Sequence, residues 1–274
     1  MLGLIRQFPT SPKINDFGKI VVGIIVFLFL LIFPLPPWLT SIVIDQYNWI
    51  TLLVLVMFFV FLLNRNGNGW EIAQTVFIFA LFAIPMIYKW QFVHHDGEII
   101  GGLLPWSDAA GYTWDAHRLV NGMLLSEFGS RRPLFPGFLA VLLRLTGDFK
   151  FTVSILTVLN TLAVCFLVRV FKRLYGSIAS GFFLVISFEF YIRFAGKTMT
   201  EQLGFVLGNL ALFFLLIGAH EKNMRKALFG LGLLTLALNA RAGAFIILPV
   251  LIIWLALFFR QHTSFWRTGG WAIG

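Results

Sequence analysis

Residues 152–176 read TVSILTVLNTLAVCFLVRVFKRLYG, and this stretch decides the fold. Together with Phe151 its first part forms an uncharged apolar run over 151–168. The run approaches the roughly 20 apolar residues that a helix needs to cross a hydrocarbon core. Arg169, Lys172 and Arg173 follow it directly, and basic residues of this kind are typical of the cytoplasmic end of a span. The stretch therefore predicts a transmembrane helix with a basic end.

The composition of the whole chain predicts the same class. Of the 274 residues, 59% are hydrophobic and 12% are charged, whereas about a quarter of the residues of a soluble domain are charged. Apolar runs recur along the chain at 19–37, 47–63, 70–88, 151–168, 177–195, 200–219, 227–241 and 243–259. We predict an all-α, polytopic integral membrane protein with about eight transmembrane helices.

Charge and cysteine content narrow the function classes. The net charge of +9 is interpreted as a topology signal in basic loops rather than as a nucleic-acid surface, so no nucleic-acid partner is predicted. The single cysteine, Cys165, lies in an apolar run and has no partner for an internal disulfide. The basic segment 1–19 runs into an apolar stretch without a small-residue cleavage motif, which predicts a retained first span rather than a signal peptide.

Charges in the connections between the runs predict the topology. With the N-terminus inside, the inner segments hold twelve basic residues: Arg6, Lys13, Lys19, Arg65, Arg169, Lys172, Arg173, Lys222, Arg225, Lys226, Arg260 and Arg267. The outer segments, leaving aside the long connection 89–150, hold three: Arg193, Lys197 and Arg241. Because basic residues of short loops favour the cytoplasmic side, we predict a cytoplasmic N-terminus.

The apolar stretch 133–145 is predicted not to cross. Its thirteen residues make a helix of about 20 Å, too short for an upright span, and a crossing there would place Arg169 and Lys172 outside. We predict a helix on the outer membrane surface that begins near Pro133. The connection 89–150 is then one long outer loop, and the chemistry is expected on the outer face.

The loop contains PWSDAAGYTWDAHRL (105–119), a polar stretch in an apolar chain. In a helix, Asp108, Tyr112 and Asp115 share one face, which predicts a surface helix carrying two carboxylates. Solvated surface charges are the alternative interpretation. The nearby HHDGE (94–98) offers His94, His95, Asp96 and Glu98 as metal ligands, although a solvated turn is favoured there because the spacing fits no specific site.

Basic residues at the outer ends of the predicted spans predict an anion-binding site. Arg193, Lys197 and Arg241 stand at the outer ends of spans, with Arg131 and Arg132 in the loop before them. Arginine forks donate bidentate hydrogen bonds to phosphate, whereas long side chains near a helix end can also simply snorkel.

Two carboxylates, Glu189 and Glu201, lie at the same outer ends of the predicted spans. The i,i+4 spacing of Glu189 and Arg193 predicts an ion pair. Glu201 ends the sequence Thr198-Met-Thr-Glu, which predicts a capping box at the start of the next helix. Asn160, Asn209 and Asn239 are predicted to make hydrogen bonds between helices.

An ordered series of motifs resembles one family. SDAAGYTWDA (107–116), RRPLFPGFLAVLLRLTG (131–147), TMTEQLGFVLGNLALFFLLIG (198–218) and ALNARAGAFIILPVLI (237–252) stand in one order. The series resembles membrane glycosyltransferases of the C-type fold, similar to the dolichyl-phosphate-mannose and aminoarabinose transferases. The resemblance covers about residues 85–260, so 1–69 is an added N-terminal segment and hairpin before a core at 70–274.

The resemblance implies a sugar transfer with inversion on the non-cytoplasmic face, from a polyprenyl-phosphate donor to a lipid, glycan or protein acceptor. By motif position Asp108 is the catalytic base, with Asp115 second in line. The implied substrate-binding residues are Tyr112, Arg131, Arg132, Glu189, Arg193, Lys197, Glu201 and Arg241. No cofactor is required, a divalent metal is possible, and Ala109 replaces the acid of a metal-binding pair. Three alternatives stay open: a lipid or small-anion transporter, a noncatalytic subunit of a membrane complex, and a fragment of a longer enzyme.

Overall fold

The computed structural model describes residues 14–33, 36, 49–65, 67–91, 99–100, 104–240 and 245–259. In chain order these form α1 (Ile14–Ile32), α2 (Trp49–Asn64), α3 (Asn68–Gln91), β1 (Ile99–Ile100), β2 (Leu104–Pro105), α4 (Asp108–Val120), α5 (Glu127–Ser130), α6 (Leu134–Thr146), α7 (Phe149–Ile192), α8 (Thr200–His220), α9 (Met224–Ala240) and α10 (Ile247–Phe259). The fold is helical, as predicted. The two-residue strands, which pair antiparallel in the predicted outer loop, are the one exception to the all-α prediction within these ranges.

The helix α7 consists of two antiparallel arms, 149–175 and 177–192. Gly176 between them has φ 90° and ψ 175°, a conformation that glycine adopts at little cost. The Ser180 hydroxyl donates to the Val168 carbonyl at 2.8 Å, although a straight helix would place these residues about 18 Å apart. The predicted runs 151–168 and 177–195 are therefore separate helices joined by a reversal at Gly176.

Polar contacts tie the helices together at two opposite ends of the bundle. At the first, which we call the Arg169 end, Lys19 pairs with Glu71 and the Arg169 guanidinium donates to the Thr75 hydroxyl at 3.1 Å. At the second, the Lys89 end, the Lys89 ammonium donates to the Ile192 carbonyl at 3.0 Å. The helix α3 and both arms of α7 thus each run from one end to the other, in alternating directions.

Among the described residues, three helices are long and apolar enough to cross a membrane: Asn68–Trp90, Phe149–Ile192 and Thr200–His220. Four shorter helices are also apolar: Phe17–Ile32, Leu53–Asn64, Leu134–Thr146 and Ile247–Phe259. Large apolar side chains point outward from the helices, among them Ile186 and Val250. These features are consistent with a helical membrane protein whose outer surface faces lipid.

Small residues allow α8 and α9 to pack backbone against backbone. A Cβ atom added to Gly218 would lie 2.6 Å from the Ala227 amide nitrogen, and one added to Gly230 would lie 2.9 Å from the Ala211 carbonyl oxygen. Transmembrane helices associate through close van der Waals packing of this kind, because lipid gives no hydrophobic drive between them. The two glycines therefore determine how closely α8 and α9 approach.

The predicted hydrogen bonds between helices are found for one of the three asparagines. Asn160 is fully buried, and its amide nitrogen donates to Gln202 Oε1 of α8 at 2.6 Å, which confirms the predicted bond between helices. Asn209 donates to Phe205 and Asn239 to Thr235, each a carbonyl of its own helix. For these two the prediction is wrong, because each amide bonds the carbonyl four residues back, as Asn160 also bonds Leu156, and among the described residues no second helix offers it an acceptor.

We expect Asn160→Ala to lower the free energy of unfolding by about 1–2 kcal/mol, because it removes a buried bond between helices and leaves Gln202 without its donor. Asn239→Ala is the matched control, since that side chain is exposed and bonds only within its helix. Thermal unfolding of both variants in detergent measures the difference. An equal loss for both would contradict the assigned bond.

Candidate functional site

Two hydroxyl groups join the helix α4, which belongs to the predicted outer loop, to the turn between α7 and α8. Thr198 is buried, and its Oγ1 lies 2.8 Å from Thr113 Oγ1 and 3.2 Å from the Ala109 carbonyl oxygen. Asp108 is the neighbour of Ala109 along the chain, and Lys197 is the neighbour of Thr198. Asp108 and the cations Arg193 and Lys197 of the α7–α8 turn therefore lie at the same end of the bundle, the Lys89 end.

Asp108 is the first residue of α4 and is exposed. The preceding Ser107 has φ 56°, an uncommon conformation for a residue with a side chain. Its carbonyl oxygen nevertheless accepts from the amides of Ala110 and Gly111, at 3.0 and 3.3 Å. The tight turn begins the helix with the Asp108 carboxylate open to a substrate.

Tyr112 and Asp115 are buried, 2% and 0% exposed. The alternative interpretation as a solvated surface charge is therefore wrong for Asp115, and neither residue stands on an exposed face of the predicted surface helix. The face that they share packs inward against Phe128 and Phe135, whose rings contact the Tyr112 ring. The Tyr112 ring and the buried Ala109 and Ala116 direct that face toward the core, although it also carries the Asp115 carboxylate.

The two loop arginines have different surroundings. Arg131 is exposed and pairs with Glu127 at 3.0 Å, an exposed i,i+4 pair of small energetic value. Arg132 is half-buried, and its guanidinium donates to the Tyr112 hydroxyl oxygen at 3.1 Å. Of the two arginines, Arg132 is the one that a side chain of α4 holds in place, through this hydrogen bond to Tyr112. The predicted helix after them is confirmed as α6, which begins after Pro133.

The α7–α8 turn carries the other predicted cations of the described chain. Arg193 is exposed and Lys197 is half-buried. Among the described residues no ion pair within 4.0 Å joins Arg193 to Glu189, so the predicted close pair is wrong, although the charge of Arg193 acts on the Glu189 carboxylate at longer range. Glu189 is half-buried one turn away, in the part of α7 near the Lys89 end.

The predicted capping box at Thr198 is also wrong. The helix α8 begins at Thr200, its N-cap is Met199, and no side chain caps it. Thr198 instead contacts Thr113 and Ala109. The half-buried Glu201 accepts from the Thr200 hydroxyl at 3.1 Å. The local sequence pattern predicts that the Thr198 hydroxyl caps α8, but in the fold this hydroxyl contacts α4 instead.

Sequence reasoning missed two lysines at this end. Lys89 donates to the carbonyl of Ile192 next to Arg193, and the Lys150 ammonium lies 6.0 Å from the centroid of the Trp90 ring. Both residues border the long loop, which the charge comparison left aside. A lysine beside a tryptophan at the end of an apolar run is typical of a membrane boundary and could have indicated them.

Some predicted residues lie outside the described ranges. These are Arg241 and the possible metal ligands His94 and His95 with Asp96 and Glu98. Within the described residues, no group of three or more His, Cys, Asp or Glu side chains is placed to hold a metal ion.

The Lys89 end thus combines an exposed carboxylate with several cations. A carboxylate in this setting can accept a proton from a hydroxyl nucleophile, and guanidinium and ammonium groups can bind a phosphate and stabilise its charge as it leaves. Comparison with protein-family models, curated proteins and solved structures finds no match for this chain.

Proposed function

We propose that this protein is an integral membrane glycosyltransferase that moves a sugar from a polyprenyl-phosphate donor to an acceptor. Eight helices cross the membrane in this proposal: α1, α2, α3, the two arms of α7, α8, α9 and α10. The N-terminus is cytoplasmic, and the Lys89 end lies on the non-cytoplasmic face. The alternating helix directions support this topology, because the charge-based assignment requires the same alternation.

One observation carries the functional proposal. The exposed Asp108 and the cations Arg193 and Lys197 come from distant parts of the chain, yet the contact of Thr198 with Ala109 holds their segments together. A sugar transfer from a lipid phosphate needs these two kinds of group side by side. The base activates the acceptor hydroxyl, and the cations stabilise the phosphate that departs with its lipid.

The proposed role of each side chain follows from its charge and from whether it is exposed or half-buried at the Lys89 end. Asp108 accepts the acceptor proton while the hydroxyl oxygen attacks the anomeric carbon, and the bond to the phosphate oxygen breaks with inversion. Arg193 and Lys197 bind the phosphate, with Arg132 contributing positive charge around it, and Arg241 keeps the binding role that the sequence resemblance implies. Glu201 and Glu189 bind sugar hydroxyls as hydrogen-bond acceptors.

The double substitution of Arg193→Met with Lys197→Met is expected to weaken binding of polyprenyl phosphate roughly 10- to 100-fold, because two charge-assisted contacts are lost. Titration of the protein in nanodiscs with labelled polyprenyl phosphate measures the dissociation constant. The matched control is Arg173→Met with Arg225→Met, which removes two exposed arginines near the Arg169 end. An equal loss in the control would assign the effect to overall charge and contradict a site at the Lys89 end.

Transfer itself tests the enzyme class. Purified protein in nanodiscs is supplied with a panel of labelled polyprenyl-phosphate sugars and a lipid and glycan extract as acceptor. Movement of label to an acceptor supports the proposal. Binding of polyprenyl phosphate without any transfer would favour a transporter or a noncatalytic subunit instead.

A further inference from the structure

The buried carboxylate of Asp115 has no place in the proposed chemistry, although both of its oxygens accept hydrogen bonds. The side chain is 0% exposed. Its Oδ1 accepts from the Ser126 amide nitrogen and its Oδ2 accepts from the Ser126 hydroxyl, both at 2.7 Å. A carboxylate enclosed in this way cannot touch a substrate, so its role must lie in what it holds.

The chain beyond Ser126 is built closely around this carboxylate. The Gly129 amide donates to the Ser126 hydroxyl oxygen at 3.3 Å, and a Cβ atom on Gly129 would lie 2.1 Å from Asp115 Oδ2. Only a glycine can pass the carboxylate at this distance. One turn further along α4, the Arg118 guanidinium donates to the Leu124 carbonyl at 2.8 Å and lies 3.9 Å from Asp115 Oδ1.

The same segment ends at Arg132. The Arg132 amide donates to the Gly129 carbonyl at 3.1 Å, and its guanidinium donates to the hydroxyl of Tyr112. Tyr112 precedes Asp115 by three residues, so both lie on the inward side of α4. One helix therefore holds segment 126–132 at its start through Asp115 and at its end through Tyr112.

We infer that Asp115 is a positioning residue: by binding Ser126 it fixes segment 126–132 and sets the Arg132 guanidinium for an anionic lipid phosphate. The assignment of the phosphate rests on the proposed function. The assignment of the segment rests on the contacts of Asp115 alone. The expectation that Asp115 is second in line as a catalytic residue is replaced by this role.

Hydrogen exchange of the full-length protein, without any lipid donor, tests the positioning. Asp115→Asn retains the size of the side chain but replaces one acceptor oxygen by a donor, so the Ser126 hydroxyl loses its acceptor. We expect exchange of amides in segment 126–132 to be roughly tenfold faster, the effect of one lost charge-assisted bond. The control Asp148→Asn alters an exposed carboxylate that accepts from Phe151 at the start of α7, and it should leave that segment unchanged. Unchanged exchange in Asp115→Asn would overturn the inference.

A double-mutant cycle tests whether the segment acts through Arg132. The dissociation constant of polyprenyl phosphate is measured for Ser126→Ala, for Arg132→Met and for both together. We expect Ser126→Ala to weaken binding several-fold in the native background and to have no further effect once Arg132 is replaced. Equal effects in both backgrounds would overturn the link to Arg132, because a general loss of packing acts in both.

The two experiments separate the inference from the proposed function. If the wild-type protein transfers no sugar from any donor, the exchange experiment and the binding cycle still decide the role of Asp115. If transfer occurs, Asp115→Asn should lose efficiency mainly through a higher KM for the donor. Abolished turnover with an unchanged donor KM would show instead that Asp115 reacts directly, and the inference would be wrong.

Discussion

Asp108→Asn is expected to reduce the rate of sugar transfer by about 100- to 10,000-fold, the usual contribution of a general base. Asparagine has nearly the same shape as aspartate but cannot accept the proton of the acceptor hydroxyl. Since Asp108 is exposed at the start of α4, the substitution disturbs no packing. Binding of polyprenyl phosphate should therefore be retained while single-turnover transfer is lost.

The control for this experiment is Asp148→Asn. Asp148 is also exposed, precedes a helix and belongs to the predicted outer loop, so the variant makes the same change of charge at a similar structural position. It should transfer sugar at the wild-type rate. Undiminished transfer by Asp108→Asn would move the base elsewhere, and Glu189 would then be the next carboxylate to test.

Gly218→Ala is expected to lower the free energy of unfolding by about 1–3 kcal/mol, the cost of overpacking a close interface. The new methyl group would lie 2.6 Å from the Ala227 amide nitrogen and 2.9 Å from its Cα. Backbone atoms cannot rotate away as a side chain can, so α9 must move. Thermal unfolding in detergent, followed by circular dichroism, measures the loss.

The same helix supplies the control. A Cβ atom added to Gly208 of α8 would meet no other atom within 4 Å, and Gly208→Ala should raise the free energy of unfolding by up to about 1 kcal/mol through better helix propensity. Gly230→Ala and Gly232→Ala repeat the comparison in α9, with Gly230 in the close contact and Gly232 in open space. If both members of a pair behaved alike, the close approach of α8 and α9 would be refuted.

The helices, and the alternation of α3 with the two arms of α7, could be predicted from the sequence because both depend on local quantities. Length and apolarity decide where a helix can cross lipid, and basic residues at alternate connections decide its direction. The reversal at Gly176 follows from the same two signals, since Arg169, Lys172 and Arg173 separate two apolar runs just before a glycine.

The candidate site could be predicted only in part. The exposure of Asp108 follows from its place at the beginning of a polar helix. The burial of Asp115 does not, because it depends on Ser126 eleven residues later and on the missing side chain of Gly129. Likewise the hydroxyl of Thr198 has a suitable local partner in the sequence but bonds across the fold. Tertiary contacts of this kind leave no periodic signal.

The contact of Lys89 with Ile192 has an electrostatic consequence for the α7–α8 turn. A helix carries a partial negative charge of about half an elementary charge at its C-terminus, on carbonyl groups without intrahelical partners. At the end of α7 the Lys89 ammonium covers the Ile192 carbonyl, and Gln202 donates to the carbonyl of Phe194. The helix dipole that would repel an incoming anion is thereby offset at the turn that carries Arg193 and Lys197.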